Sequence, residues 1–250
     1  VGRVHLLGTG AALSGKERTT TMLALEGDAT LLLVDCGGDA AQRLLVQDLD
    51  LAKVTGLIVT HEHADHVGGF ALLMERLWLA GHTGDFHVYG IQPALDQARK
   101  VHDAFDTSTW PSYPNIVYHT VPLVSGAKVV TTPDFSITAV PGDHSVPSCG
   151  IRVTDLGSDG VLTYSADTAR SDLVVEAALG SDLLLHEAGG AHPGHSSAAD
   201  AAKVAAAARV ERLVLVHLPP MSDDGEATLA SARELFPATE LGHDGAVYYF

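Results

Sequence analysis

Short apolar runs recur along the whole chain, and between many of them the apolar positions change from continuous or alternate spacing to intervals of three and four. The runs predict strands near 3–7, 21–26, 30–35, 54–59, 86–90, 115–119, 135–140, 150–154, 161–164, 182–186, 212–216 and 245–249. Asp39 can cap a helix running through Leu49, with Leu44, Leu45 and Leu49 on one face. Residues 67–80 place Phe70, Leu73, Met74 and Leu77 at helical spacing, a stripe best read as core packing. A further helix is expected near 171–179, and 197–208 is an Ala-rich one. Strands interleaved with helices make this an α/β chain.

Composition adds bounds to that pattern. With 250 residues and 46% hydrophobic content the chain can bury a substantial core, and no Pro/Gly/Ser-rich linker divides it, so residues 1–250 read as one domain. Fifteen basic residues against 31 acidic ones give a net charge of −16. An extended polyanion such as RNA would be repelled at long range, and no Lys/Arg cluster offsets this. Two cysteines, Cys36 and Cys149, cannot build a disulfide framework and read as core in a reducing cytosol. No basic leader with a long apolar run precedes the strand at 3–7, and no apolar stretch is long enough to span a bilayer. A cytoplasmic protein without a membrane partner is expected.

The chemistry concentrates after the strand at 54–59, where the chain reads Thr60, His61, Glu62, His63, Ala64, Asp65, His66. Chance placement at this composition would give His-x-His-x-Asp-His roughly once in three hundred such sequences. Imidazole suits zinc and its neighbours, and a carboxylate adds charge and can serve a second ion. A tight loop leaving a strand end can aim alternate side chains at different metals. Isolated candidates close later strands: His144 after 135–140, Asp167 after 161–164, and His217 after 212–216. On its own, Asp167 would read as a helix N-cap and either histidine as an ordinary loop residue.

This series of residues resembles the metallo-β-lactamase fold superfamily. The resemblance implies a four-layer αβ/βα sandwich with metals at one edge. It implies two divalent ions, zinc first, with manganese and iron also accepted by the same donors. His61, His63 and His144 would hold one ion, Asp65, His66 and His217 the other, with Asp167 bridging them. Such a pair can generate a bridging hydroxide and stabilise charge developing on oxygen. Asp65 could also orient or deprotonate the nucleophile. Asp35, in the Asp-Cys-Gly-Gly turn, is expected to shape the turn or support a ligand from behind.

Three local patterns are similar to ribonuclease Z: residues 7–18, the Leu185-His186-Glu187-Ala188 segment, and Gly194-His195-Ser196 before the Ala-rich helix. By that resemblance Glu187 and His195 protonate the leaving group together with Asp65. Lys16, Arg18 and Ser196, with the backbone at Gly8 and Gly10, are candidate phosphate contacts. His186 is expected to pack or hydrogen-bond, and His82 and His192 to be surface groups. Departures from the pattern matter too. The short interval from His144 to Asp167 leaves no room for a long substrate-gripping arm, Thr19 stands where an Asn is expected, and His217 is followed by Leu218, Pro219, Pro220 and Met221 without the usual Ser and Arg. The expectation is therefore a dinuclear phosphodiesterase for a small phosphodiester or nucleotide. A tRNA 3′-processing endonuclease and a lactonase- or β-lactamase-type ester or amide hydrolase are the alternatives. Family habit suggests a homodimer.

Overall fold

The computed structural model of the protein describes residues 1–221 and 225–250. The first half of the chain forms β1 (Arg3–Gly8), β2 (Met22–Glu26), β3 (Leu31–Val34), α1 (Ala40–Val46), a 3₁₀ turn (Leu51–Lys53), β4 (Gly56–Val59), α2 (Ala64–Val67), α3 (Phe70–Leu79), β5 (Asp85–Gly90), α4 (Gln92–Asp103) and β6 (Asn115–Thr120). The second half forms β7 (Lys128–Thr131), β8 (Phe135–Pro141), β9 (Cys149–Asp155), β10 (Val161–Tyr164), α5 (Asp172–Ala178), β11 (Leu183–Glu187), α6 (Ala198–Ala208), β12 (Arg212–Val216), α7 (Glu226–Arg233), β13 (Thr239–Leu241) and β14 (Val247–Tyr249).

Two seven-stranded sheets result, ordered β14-β1-β2-β3-β4-β5-β6 and β13-β12-β11-β10-β9-β8-β7. They repeat one plan. β14 through β3 pair antiparallel and β3 through β6 parallel. In the other sheet β7 through β10 pair antiparallel and β10 through β13 parallel. Within each sheet the parallel strands therefore deliver their C-terminal ends to a single edge, where strand-end loops converge.

Both faces of the central strands are buried, which is why their sequences read as unbroken apolar runs. In β11 and β12, Leu183, Leu185, Val214 and Val216 join the core that spans both sheets, while Leu184, Leu213 and Leu215 turn to Ala201, Ala205 and Ala208 of α6. The small residues of α6 let that helix sit close to its sheet. On the other side Phe70, Leu73, Met74 and Leu77 of α3 are buried as their spacing predicts. The αβ/βα sandwich expected from the sequence is the observed fold.

Several local expectations need correction. The Asp39 cap is present, its side chain accepting from Gln42 N at 3.0 Å, but α1 ends at Val46 because Asp48 turns into the left-handed region at φ 56°. Leu45, about 100° round the helix from the buried Leu44, points outward at 50% exposure. The helix expected over 67–80 is broken at Gly68 and Gly69. A Cβ on Gly69 would run into the Cys36 and Gly38 carbonyls, so the break lets the strand-end loop after β3 pass against the helix. Ser171 caps α5, accepting from Leu173 N at 3.2 Å, and Asp167 is free of that duty. α4 has no long apolar stripe in the sequence, its buried face being only Ala94, Leu95 and Ala98, behind Pro93. α7 has still less of one, since only Ala232 of it is buried. β7 and β13 are short edge strands with polar positions. Cys36 and Cys149 are free and buried.

Candidate metal centre

Four strands of the two sheets, and the helix turn after one of them, bring the expected residues to one edge. β4 ends into Thr60 and His61, His63 occupies the N-cap position of α2, and the first turn of α2 carries Asp65 and His66. His144 follows β8, Asp167 follows β10, and His217 follows β12. Asp35, Ala166 and His217 adopt positive φ values of 62°, 51° and 54°. Non-glycine residues hold such angles at a cost of about 1–3 kcal/mol each, and here each turns the chain sharply at a strand end beside the cluster. Backbone bonds tie the sheets together at this edge: Cys149 N donates to Thr60 O (3.1 Å) and Leu218 N to Thr9 O (2.9 Å). His217 N donates to Thr21 Oγ1 at 3.1 Å.

All seven expected ligands meet. His61, His63 and His144 form one group of donor atoms, and Asp65, His66 and His217 another, each within 4.8 Å internally. Asp167 Oδ2 lies between them, 3.8 Å from His61 Nε2, 3.5 Å from His66 Nε2 and 3.2 Å from His217 Nε2. Asp65 Oδ2 is 3.3 Å from the Nε2 atoms of both His66 and His217.

The hydrogen bonds show what this cluster lacks. His61 Nδ1 lies 3.1 Å from Thr60 Oγ1, whose proton goes to Asp35 Oδ2 (2.8 Å), so the imidazole donates and Nε2 carries a lone pair. His144 Nδ1 donates to Gly194 O at 2.7 Å, which likewise leaves its Nε2 a lone pair. Both lone pairs face His63 Nδ1, at 3.2 and 3.3 Å, and one N–H could satisfy only one of them, with Ser145 Oγ a distant 3.5 Å from His144 Nε2. His66 Nε2, Asp167 Oδ1 and His217 Nδ1 are buried without any hydrogen-bond partner. Converging lone pairs and orphaned atoms beside two carboxylates fit divalent cations, and the N/O donor set suits zinc-like ions.

The electrostatics agree. Burial, reinforced by neighbouring imidazoles, drives the His61 pKa down to about 2, so it stays neutral and available. Burial opposes charge at His66, yet Asp167 and Asp35 on either side raise its pKa well above the usual value. Positive charge is wanted there. Burial would also raise the carboxyls of Asp65 and Asp167, but the surrounding histidines hold both well below the carboxylate range. Asp35 supports the cluster from behind: its Oδ1 accepts from Thr60 N (2.8 Å) and its Oδ2 from His66 Nδ1 (2.8 Å), fixing that ring with Nε2 toward Asp65 and Asp167.

Glu187 and His195 stand together at the same edge. His195 Nδ1 donates to Glu187 Oε1 at 3.1 Å, and that bond raises the His195 pKa against the effect of burial. Glu187, fully buried, also accepts from Thr168 N (3.2 Å), Gly189 N (2.6 Å) and Ser196 N (3.0 Å). A cleft of about 330 Å³ opens over Asp65, Asp167, His195 and His217, rimmed by Leu13, His192, Pro219 and Pro220. A larger, acidic cavity of about 740 Å³ lies where β3, β4 and β5 begin, and among the described residues no group of ligating side chains gathers there.

The expected phosphate contacts fare differently. The Ser196 hydroxyl is buried and donates to Thr168 O at 2.8 Å, so it holds the loop and does not face the cleft. Arg18 donates to Thr9 Oγ1 at 2.6 Å and to the Gly242 carbonyl, tying the β1–β2 loop down. Lys16 is exposed beside Glu17 (3.5 Å) and does not line the cleft. Gly10 N is spent on Thr19 O (2.7 Å). His186 packs in the core, donating to Glu187 O at 2.8 Å, and His82 bonds Val54 O at 3.1 Å. His192 borders the cleft, a position that its loop spacing gave no means of finding. Asp244 was likewise unreadable in advance: it accepts from Thr9 Oγ1 (2.7 Å) and Thr19 N (2.8 Å) across the whole length of the chain.

Two packed α/β layers with a His/Asp cluster on their common edge define a class of metal-dependent hydrolase scaffolds. The profile described as beta-lactamase superfamily domain matches residues 30–218. The chain belongs to that superfamily, the metallo-β-lactamase fold hydrolases, in its ribonuclease Z-like branch. A protein named ribonuclease Z from Methanothermobacter thermautotrophicus is 29% identical, with 96% of this chain and 94% of the relative covered. Another of that name from Synechococcus sp. is 30% identical, with 97% and 94% covered. These alignments run over 296 and 308 positions against a chain of 250, so each relative carries segments without counterpart here. Among solved structures, the metallo-beta-lactamase fold protein YhfI from Bacillus subtilis has a TM-score of 0.83 at 23% identity, covering 99% of this chain and 98% of that one. The short form of human tRNase Z has a TM-score of 0.80 at 23% identity, with the same coverage. At such identities the likeness is one of fold.

Proposed function

We propose that this chain is a phosphodiesterase acting on a small phosphodiester or nucleotide, and that its 250 residues work as one catalytic domain. His61, His63 and His144 would hold one divalent ion, Asp65, His66 and His217 a second, and Asp167 would bridge them; zinc is the first choice, with manganese and iron competing for the same donors. When bound, such a pair lowers the pKa of coordinated water and neutralises charge building on phosphoryl oxygens.

The chain's own groups do the rest. Asp65 borders the cleft, and its contacts with His66 and His217 engage Oδ2, so Oδ1 can orient the attacking water. The observation that carries the phosphodiester reading is the Glu187–His195 pair beside these ligands. Attack on phosphorus expels an alkoxide in line, and the departing oxygen needs a proton. Glu187 fixes Nδ1 and favours the protonated ring, which leaves the Nε2 proton for that oxygen.

Substrate size follows from charge. Among the described residues no Lys or Arg lines the cleft, and the net charge is −16, so a long RNA gains little beyond the site itself. Among the described residues no helix is long and apolar enough to cross a membrane, and two free buried cysteines suit the cytosol. The test is a panel on metal-loaded protein: bis(p-nitrophenyl) phosphate, cyclic nucleotides, pre-tRNA, a lactone and a cephalosporin. kcat/KM on a small phosphodiester should exceed that on pre-tRNA. Faster cleavage of pre-tRNA, with tight binding that needs no metal, would overturn the substrate assignment, and turnover of only the lactone or cephalosporin would overturn the reaction class.

A further inference from the structure

The rim of the cleft is apolar and built. Residues 11–13 after β1 and residues 218–220 after β12 are stitched together, since Leu218 N donates to Thr9 O at 2.9 Å and Ala11 N to Leu218 O at 3.0 Å. They display Leu13, at 75% exposure, together with Pro219 and Pro220 on the border of the same cleft as the metal-ligating carboxylates. Together these three side chains make an apolar border at the mouth of the cleft. His192 borders the cleft as well. Its Nε2 donates to Gly189 O at 3.1 Å, its ring stands edge-on to that of His195 at 5.6 Å, and Gly190, at φ 125°, has no room for a Cβ against that ring. The exposed imidazole is thus held beside the cleft by one hydrogen bond and an edge contact.

We propose that this rim is a subsite for the nucleobase of a nucleoside phosphodiester, a reading that rests on the phosphodiesterase function above. The chemistry of the cleft selects the ligand. One phosphate can be met at the His/Asp cluster, but among the described residues no Lys or Arg stands on the walls, and a second phosphate would meet Asp65 and Asp167 beside the imidazoles. A neutral planar ring gains where a further anion would lose: it buries its faces against Leu13, Pro219 and Pro220 and stacks on His192. A volume of about 330 Å³ is at the small end for ligand sites and suits a single nucleotide unit better than a strand.

Two esters with the same leaving group test this: thymidine 5′-(p-nitrophenyl phosphate) and methyl p-nitrophenyl phosphate. The metal-loaded protein should favour the thymidine ester in kcat/KM by about tenfold or more, the order expected for one stacked base. His192→Ala should cut that ratio about tenfold through KM with kcat little changed, Leu13→Ala should cut it less, and His192→Phe should keep it. Calorimetry supplies a readout independent of turnover, with thymidine 5′-monophosphate binding more tightly than ribose 5-phosphate and losing that advantage in His192→Ala. A ratio near one, or a preference that survives both alanine substitutions, overturns the subsite while leaving the hydrolytic function standing. Hydrolysis of neither ester, with ring-dependent binding intact, upholds the subsite and sinks the phosphodiesterase reading.

Discussion

Glu187 is the most heavily committed carboxylate at the site, and replacing it with Gln separates its two duties. All four groups around it are donors: Thr168 N, Ser196 N and His195 Nδ1 on Oε1, and Gly189 N on Oε2. Glutamine offers one acceptor, so its amide NH₂ must face Gly189 N–H across a 2.6 Å contact and strand a buried donor. That donor costs about 1–3 kcal/mol, and the remaining bonds lose their charge assistance, giving a destabilisation of about 2–4 kcal/mol. For a chain of this size Tm should fall by roughly 5–15 °C. The catalytic duty predicts more. Glu187 is the main reason that the His195 pKa is raised, so without its charge the ring loses its proton at lower pH. An acid must be protonated to act, and the alkaline limb of kcat should therefore move to lower pH. On a substrate with an alkoxide leaving group kcat should fall by about 10²-fold or more. Calorimetric melting and kcat-against-pH profiles on metal-loaded protein check both effects. A fall in Tm with the alkaline limb unmoved and kcat within about threefold of the parent would refute the reasoning and leave Glu187 as a loop anchor only.

Two further outcomes follow from the same geometry. His195→Ala should keep the fold and the metal content but lose about 10²–10⁴ in kcat on alkoxide-leaving esters, with a much smaller loss on p-nitrophenolate esters; equal losses would mean that His195 positions the phosphate. Gly37→Ala should lower both metal content and Tm, because a Cβ there would fall on the Asp65 backbone carbonyl, and unchanged metal content measured by elemental analysis would show that the loop can shift at no cost.

How much of this was legible in the sequence depended on whether a contact is local. The spacing at 61–66 announces ligands because all four side chains leave one strand end, and His144, Asp167 and His217 each follow an apolar run that fixes their edge of the sheet. The central strands were readable for the same reason, being buried on both faces. For Arg18 and Ser196 residue type suggests phosphate, whereas the partners they have in the fold, Gly242 O and Thr168 O, lie far away in sequence and leave no local signal. Leu45 lies outside because two adjacent leucines cannot share one helix face, and apolar type alone does not say which of Leu44 and Leu45 meets the core. The repeat of one sheet plan in the other, with antiparallel pairings before parallel ones, left no sequence trace, since many apolar sequences satisfy the same pairing.

The central claim is a pair of metal ions on seven side chains, and stoichiometry tests it most directly. Protein prepared without chelator, saturated with zinc and freed of excess metal, should carry close to two ions per chain by elemental analysis. His61→Ala/His63→Ala should carry about one, and Asp167→Ala should weaken both sites together, as expected for a carboxylate whose Oδ2 lies against His61, His66 and His217. Saturation of the parent at one ion, or a full complement retained by the double variant, would contradict the account.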